Sequence, residues 1–297
     1  MKQKQFESKV KETIKKYKLC DKKDKIVVAM SGGKDSTTVA YLLKKFGYNV
    51  HAIHINLLMG KWSEENEQDV KKFCLDYKIP LQIYDVRKEI GYAMCYVKSV
   101  LKEKSKLQQC TVCGIIRRWI INKKARELNA DKIATGHNLD DEAQNVFMNF
   151  MHGNPSLGIN LGPLTGIIQD KKFVSRIKPL YFIKEKDVEV YSKSKNFPVL
   201  YQRCPCVVGA LRHKIRKELD ILENKGFSGR RKSSRFSSVL EEKDKSVKEN
   251  LVLNFLDIQK DLRKRIMGQL VYCKGCGEPS RNEICKVCRM LKNLRSK

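Results

Sequence analysis

Six consecutive residues, Ser31-Gly-Gly-Lys-Asp-Ser36, close one short apolar run and open another with helical spacing. Their types suit an anion. Gly32 and Gly33 let backbone N–H groups come close to a phosphate. Lys34 adds a mobile cation, and Ser31 and Ser36 add hydroxyl donors. A helix starting near Lys34 would aim free N–H groups and a positive dipole end at the same point. The spacing is neither G-x-x-x-x-G-K-[ST] nor G-x-G-x-x-G, which excludes a Walker loop and a dinucleotide fingerprint. Farther on, Gly136-His-Asn-Leu-Asp-Asp141 brings two adjacent carboxylates, Asp140 and Asp141, that could hold Mg²⁺ between phosphates. Asp140 could instead open a helix by capping it, and His137 could be a catalyst or a buried scaffold residue.

The cysteines carry a second chemistry. There are eleven, and the N-terminal stretch MKQKQFESKVKETIKKYKLC lacks the apolar centre of a secretory signal. They therefore read as metal ligands rather than a disulfide framework. Cys273, Cys276, Cys285 and Cys288 form C-x2-C-x8-C-x2-C, two turns that place four thiolates around Zn²⁺, with zinc ahead of iron. Lys and Arg around them suggest a structural ribbon that faces RNA. Cys110 and Cys113 stand three apart at a helix start, on one face, where the helix N-terminus favours thiolates. Two thiols are too few for a metal centre, and Cys204 or Cys206 in LYQRCPC can add a third. Three thiolates on a four-iron cluster leave one iron open, as a catalytic metal needs. Cys20, Cys74 and Cys95 are isolated, and Cys74 and Cys95 read as core filler.

These residues need a scaffold. Residues 1–24 read as a charged helix, and KIVVAM (25–30), NVHAIHIN (49–56), LQIYDV (81–86) and DKIATGH (131–137) as strands. Helical spacing covers 34–46, 63–78, 110–129 and 139–151. Strands alternating with helices of this length predict an α/β fold with a parallel sheet covered on both faces. Residues 152–170 read as a loop and 171–180 as the source of an edge strand. Residues 184–197, 209–225 and 250–265 read as helices, and 225–246 as a polar linker.

The chain has 297 residues, 41% of them hydrophobic, enough for a substantial core. No apolar run approaches the roughly 20 residues of a membrane span, so a cytoplasmic protein without a membrane partner is expected. The net charge of +28, from 61 Lys+Arg against 33 Asp+Glu, predicts a polyanionic partner unless it simply makes a soluble Lys-rich surface.

Taken together the motifs carry a resemblance. Ser31–Ser36 after a strand resembles the PP-loop of the N-type ATP pyrophosphatases, which cleave ATP between the α and β phosphates. CTVCGIIRR, GHNLDDEAQNVFMNFMHGN and the later Cys-Pro resemble the tRNA 2-thiolation enzymes of the TtuA/TtcA group, closest to its TtuA side, across most of residues 25–288. The resemblance implies a Rossmann-like parallel sheet of the PP-loop type with a helical extension and a C-terminal zinc ribbon. It implies a division into an N-terminal charged helix (1–24), a catalytic domain (25–205), a basic helical segment (206–265) and the ribbon (266–297). The N-terminal helix stands where that group usually has a second zinc finger, and Cys20 is the only cysteine before Cys74.

The resemblance places ATP on Ala29, Ser31, Gly32, Gly33, Lys34, Asp35, Ser36, Ile55, Arg117, Gly136 and Asp141. It gives Lys34, Asp35 and Asp141 catalytic roles beside Cys110, Cys113 and Cys204, the three ligands of a [4Fe-4S] cluster. The implied cofactors are ATP, Mg²⁺, the cluster and Zn²⁺. The implied partners are tRNA and a sulfur donor (sulfide, a persulfide or a ubiquitin-like thiocarboxylate protein), with homodimerisation expected. The implied activity is ATP-dependent 2-thiolation of a tRNA uridine. A cytidine thiolase or lysidine-type synthetase, and a non-catalytic RNA-binding protein, are the alternatives. The cysteine pair argues against a lysidine-type enzyme, and the intact loop against a non-catalytic one.

Overall fold

The computed structural model describes residues 1–105, 107–153, 158–159, 161–166, 170, 172–202, 204–205, 211–224, 246–265 and 271–295. By contact the chain forms two compact units, one of residues 1–138, 162–208 and 268–297, the other of 139–161 and 209–267.

The first unit contains α1 (Gln3–Lys16), β1 (Lys25–Met30), α2 (Lys34–Lys45), β2 (Asn49–Asn56), α3 (Lys61–Asp76), β3 (Leu81–Asp85) and α4 (Val86–Ile90). It continues with α5 (Met94–Ser105), α6 (Gln109–Glu127) and β4 (Lys132–Ala134). After α7 (Leu139–Met151), which belongs to the other unit, come β5 (Leu164–Thr165), β6 (Ser175–Ile177) and α8 (Glu185–Ser194). Helices α9 (Leu211–Asn224) and α10 (Val247–Arg265) complete the second unit. The chain returns to the first with β7 (Val271–Tyr272), β8 (Pro279–Ser280) and α11 (Lys286–Arg295).

The main sheet runs β3-β2-β1-β4-β6-β5. All pairs are parallel except β5 with β6. Central β1 is almost wholly buried, as its β-branched run requires of a strand covered on both faces. Ile26, Val28 and Met30 join one core with residues of α1, α2, α3 and α8. Val27 joins the other with α4, α5, α6 and, through Met290 and Leu294, α11. Helix α1 turns Phe6, Val10, Thr13 and Ile14 inward at helical spacing. Phe6 stacks on Tyr191 of α8 with centroids 4.3 Å apart.

The expected alternation holds through β4, with three adjustments. DKIATGH is strand only to Ala134, which frees residues 135–138 as a loop at the strand's C-terminal end. The strand taken from 171–180 is β6, which lies inside the sheet, and the true edge is β5, within the stretch read as loop. Only three residues of β6 pair, so tertiary pairing and not sequence length makes it a strand. Cys95 is exposed on α5 rather than core filler, whereas Cys74 is buried as expected. The linker 225–245 lies outside the described residues. Among the described residues, no helix is long and apolar enough to cross a membrane.

In the second unit, α7, α9 and α10 are joined by polar ties. Lys248 of α10 is 6% exposed and donates to Asp140 of α7 at 2.5 Å and to Asp220 of α9. Arg212 of α9 reaches Gln144 at 2.8 Å and both the carbonyl and the carboxylate of Asp141 at 3.1 and 3.2 Å.

The cysteine tail is part of the first unit and is fastened to α6. Glu278, 5% exposed, accepts from both guanidinium nitrogens of Arg126. Lys172 donates to the Gly277 carbonyl at 2.9 Å, and Tyr272 donates to Asp170. Removing one member of a charged hydrogen-bonded pair costs about 1.5–3 kcal/mol. Glu278→Ala should therefore speed amide exchange over 271–295 by roughly tenfold or more, leaving β1–β3 protected. Unchanged exchange across the tail would contradict this anchoring.

Candidate nucleotide site and cysteine centres

The sheet reverses direction at β1: β2 and β3 lie to one side, β4 and β6 to the other. Ligands of open α/β sheets bind at such a switch point, beyond the strand C-termini. Ser31–Gly33 leaves β1 there, and residues 135–138 leave β4 beside it.

The Ser31–Ser36 loop folds onto itself. The Ser36 hydroxyl accepts from the Ser31 N–H (3.1 Å), lies 3.0 Å from the Ser31 hydroxyl and donates to the Gly33 carbonyl (3.1 Å). Helix α2 then starts at Lys34 with Gly33 as an N-cap that has no side-chain bond, so its first N–H groups are free of a capping side chain. Gly32 has φ +78°, and a Cβ there would stand 1.6 Å from Asn66 Oδ1. Asn66, 4% exposed on α3, fixes the turn by donating to the Ser31 carbonyl at 2.8 Å.

The β4 loop locks onto the same turn. A Cβ on Gly136 would lie 2.6 Å from the Ser36 nitrogen and 2.8 Å from the Asp35 carbonyl carbon. Only a glycine lets these two backbones meet. Asn138, 2% exposed, donates to Asp35 Oδ1 at 3.0 Å. His137 is exposed, its Nδ1 2.9 Å from the Thr135 hydroxyl, and so is not a buried scaffold residue.

Lys34 lies between two carboxylates, Asp35 at 3.0 Å and Glu185 of α8 at 2.9 Å. Burial pulls its pKa down, but the two carboxylates outweigh it and hold the ammonium charged, above the ordinary lysine range. A polyphosphate entering this cradle would meet a cation already positioned, and would compete with Glu185 for it.

Ala29 and Ile55 lie on β1 and β2, packed towards the α6 layer. Between them in the sheet, His54 is 3% exposed with Nδ1 3.0 Å from the Met30 carbonyl. Burial lowers its pKa, with the positive charge of Arg117 adding to the effect. Arg117 is half-buried on α6, facing β2, and has no carboxylate within ion-pair distance among the described residues.

Cys110 and Cys113 occupy the first turns of α6, the former exposed, the latter half-buried. The helix begins without a capping side chain, so its first N–H groups are free of one. Cys204 is half-buried in the same unit, and Cys206 lies outside the described residues. Among the described residues, one compact four-thiol group stands out: Cys273, Cys276, Cys285 and Cys288, with all sulfurs within 4.8 Å of one another. Cys276 and Cys285 are 3.7 Å apart, close to the about 3.8 Å edge of a tetrahedron with about 2.3 Å Zn–S bonds. Backbone N–H groups of Gly275 and Cys285 point at the Cys273 sulfur (3.4 and 3.2 Å), and Cys288 N–H at Cys285 (3.3 Å). This donor set fits Zn²⁺.

The two carboxylates of GHNLDD part company within the second unit. Asp140 is buried in the Lys248 pair and has a structural role. The Asp141 side chain is 35% exposed and pairs with Arg212 at 3.2 Å. Sequence reasoning missed Asn66, Asn138, His54 and Glu185. Asn66 and Ser63 stand out in hindsight as polar residues on the apolar stripe of α3, with Val70 and Phe73. Nothing local marks Glu185.

The PP-loop domain family matches residues 2–219. A tRNA-5-methyluridine(54) 2-sulfurtransferase of Pyrococcus horikoshii is 36% identical over 285 residues, spanning 96% of this chain and 84% of the relative. The cytoplasmic tRNA 2-thiolation protein 1 of Xenopus laevis is 30% identical over 296 residues, spanning 97% and 80%. Among solved structures, the U34-tRNA thiolase NcsA of Methanococcus maripaludis with its [4Fe-4S] cluster aligns with a TM-score of 0.77 at 29% identity, covering 99% of this chain and 88% of that one.

The two loop glycines separate packing from chemistry. Overpacking costs about 1–3 kcal/mol, so Gly136→Ala should lower the melting temperature by several degrees and abolish ATP binding in calorimetry. Gly33→Ala meets nothing nearer than 3.6 Å at an ordinary φ and should lose only glycine's advantage at the N-cap, a smaller drop in melting temperature. Equal melting temperatures for the two variants would refute the close approach.

Proposed function

The chain belongs to the PP-loop family of tRNA 2-thiolation enzymes, and from that premise we propose that it replaces O2 of a tRNA uridine with sulfur, using ATP. The observation that carries the reading is one of placement. The phosphate cradle at Ser31–Ser36 and the Cys110/Cys113 helix belong to one unit of a chain aligned along 96% of its length with a tRNA 2-sulfurtransferase. Uridine is chosen because the P. horikoshii and M. maripaludis relatives are each named for one.

In this reading the α2 N–H groups, Ser31, Ser36 and Lys34 hold the phosphates of ATP, and Ala29, Ile55 and Arg117 hold the rest of the nucleotide. Asp141 holds Mg²⁺. The base O2 attacks the α-phosphorus, the bond to the bridging oxygen breaks, and pyrophosphate leaves while Lys34 offsets the developing charge. Asp35, fixed by Asn138, orients Lys34. N3 loses its proton in this step. Sulfur at the oxidation level of hydrosulfide then adds to C2, the C2–O2 bond breaks, and AMP departs with the base oxygen. The hydrosulfide proton restores N3. Free sulfide, a persulfide with a reductant, or a thiocarboxylate protein can supply such sulfur.

Cys110, Cys113 and Cys204 would hold a [4Fe-4S] cluster, their soft thiols at a helix start matching its needs, and the cluster when bound supplies an iron with a free position for the incoming sulfur. Cys273, Cys276, Cys285 and Cys288 would hold Zn²⁺ and fix the ribbon. A target base must leave its stack to reach such a site.

Protein purified anaerobically should contain iron and about one zinc per four-cysteine tail. Cys110→Ala should lose the iron and keep the zinc, and Cys288→Ala the reverse. With ATP, Mg²⁺, sulfide and tRNA the intact protein should form 2-thiouridine, detected by nucleoside mass spectrometry, and Cys110→Ala should form none. Formation of 2-thiocytidine, or thiolation that survives Cys110→Ala, would overturn the proposal.

A further inference from the structure

A cavity of about 290 Å³ lies where α6, the end of β6 and the cysteine ribbon meet, away from the nucleotide cradle's residues. Its polar lining is one-sided. Arg118 comes from α6, Arg176 from β6, and Arg281 and Lys286 from the ribbon. Among the described residues none of these four has a carboxylate within ion-pair distance. The carboxylate in the wall, Glu278, is committed to Arg126 and Asn122. Arg176 donates to the Arg118 carbonyl at 3.3 Å, which leaves most of its guanidinium hydrogens for another acceptor. Phe173, Ile115 and Trp119 supply an apolar wall.

We infer that this cavity is a seat for a phosphodiester of the RNA backbone, gripped by Arg118 and Arg176 and closed by Arg281 and Lys286 of the ribbon. The inference rests on the tRNA reading above and names a contact for it. Two arginines that line one cavity without a counter-ion are unfavourable together, and an oxyanion between them would offset that. Burial and the neighbouring Arg118 pull Arg176 down to about 10, which an anion between them would relieve. The positive lining also continues outward. A second depression shares Arg281 and Asn282 with the cavity and adds Arg289 and Lys292, its carboxylate Glu283 being paired with Lys274 at 3.0 Å. A continuing track suits a polymer of phosphates rather than a single carboxylate, and the aromatic wall suits a ribose or an unstacked base.

The position bears on the reaction. Arg118 folds back along α6, its Nη1 3.3 Å from where a Gly114 Cβ would be, and it interacts electrostatically with Cys113. A phosphate held here is tied to the helix that carries the cysteine pair. The ribbon's anchoring through Glu278 and Lys172 then builds half of an RNA site.

The test is tRNA binding to the full chain as a function of KCl, with ATP affinity measured in parallel. Each cation removed from a phosphate should reduce the slope of log Kd against log [KCl] by about one. The double variant R118Q/R176Q should lower the slope by one to two and weaken binding roughly tenfold or more at fixed salt. ATP affinity and iron content should stay at wild-type values, and R118K/R176K should restore the slope but only part of the affinity. If R118Q/R176Q fails to fold, R281Q/K286Q reads the same slope from the ribbon side. Wild-type slope and affinity in these variants would overturn the inference alone. A wild-type chain that binds no tRNA would instead overturn the functional reading beneath it.

Discussion

The meeting of two backbones at Gly136 is the constraint on which the site depends. The loop that leaves β4 presses against the first turn of α2 so closely that a methyl group would sit 2.6 Å from the Ser36 nitrogen. That approach aligns the ends of β1 and β4 and gives the Ser31–Ser36 turn a rigid floor. Asn138 to Asp35 on one side and Asn66 to the Ser31 carbonyl on the other then fix its height. The turn's conformation is therefore set by three segments distant in sequence, and its N–H groups are aimed before any phosphate arrives. Preorganisation of this kind gives donors their effect on developing charge, since none needs to reorient during the reaction.

Charge is placed with the same selectivity. With a net charge of +28, most of the surface must repel itself, and several carboxylates position a cation or join two elements. Glu185 and Asp35 hold Lys34 in the cradle, Asp140 and Asp220 hold Lys248 among three helices, and Glu278 holds the ribbon. What remains unbalanced on the ribbon and the adjoining strand points to a polyanion. The tail is thus more than an appended end. Through Met290 and Leu294 it shares the core that lies under α5 and α6, so folding of the ribbon and firmness of the cysteine helix are linked.

The parts legible in the sequence were those whose chemistry is local. A glycine pair with lysine and serines, a C-x2-C pair spaced by eight residues, and β-branched runs between helical stretches each state their purpose within a dozen residues. Long-range features were not legible. Arg126 and Glu278 are 152 residues apart, and nothing in either neighbourhood announces the other. Glu185 lies 151 residues from Lys34. Strands β5 and β6 pair over two or three residues, too few for an alternating pattern to register. Of the two aspartates of GHNLDD, Asp140 could be read from sequence as a helix cap, but its tie to the buried lysine from α10 could not. In each case the deciding partner arrives from a segment that sequence spacing cannot place.

The central claim is that ATP activates the oxygen of the base, and the fate of that oxygen tests it most directly. tRNA carrying ¹⁸O at O2 of its uridines, incubated with the intact protein, ATP, Mg²⁺ and sulfide under anaerobic conditions, should yield AMP that contains the label. One labelled AMP should appear for each 2-thiouridine formed. Unlabelled AMP, or ADP in its place, would contradict the account.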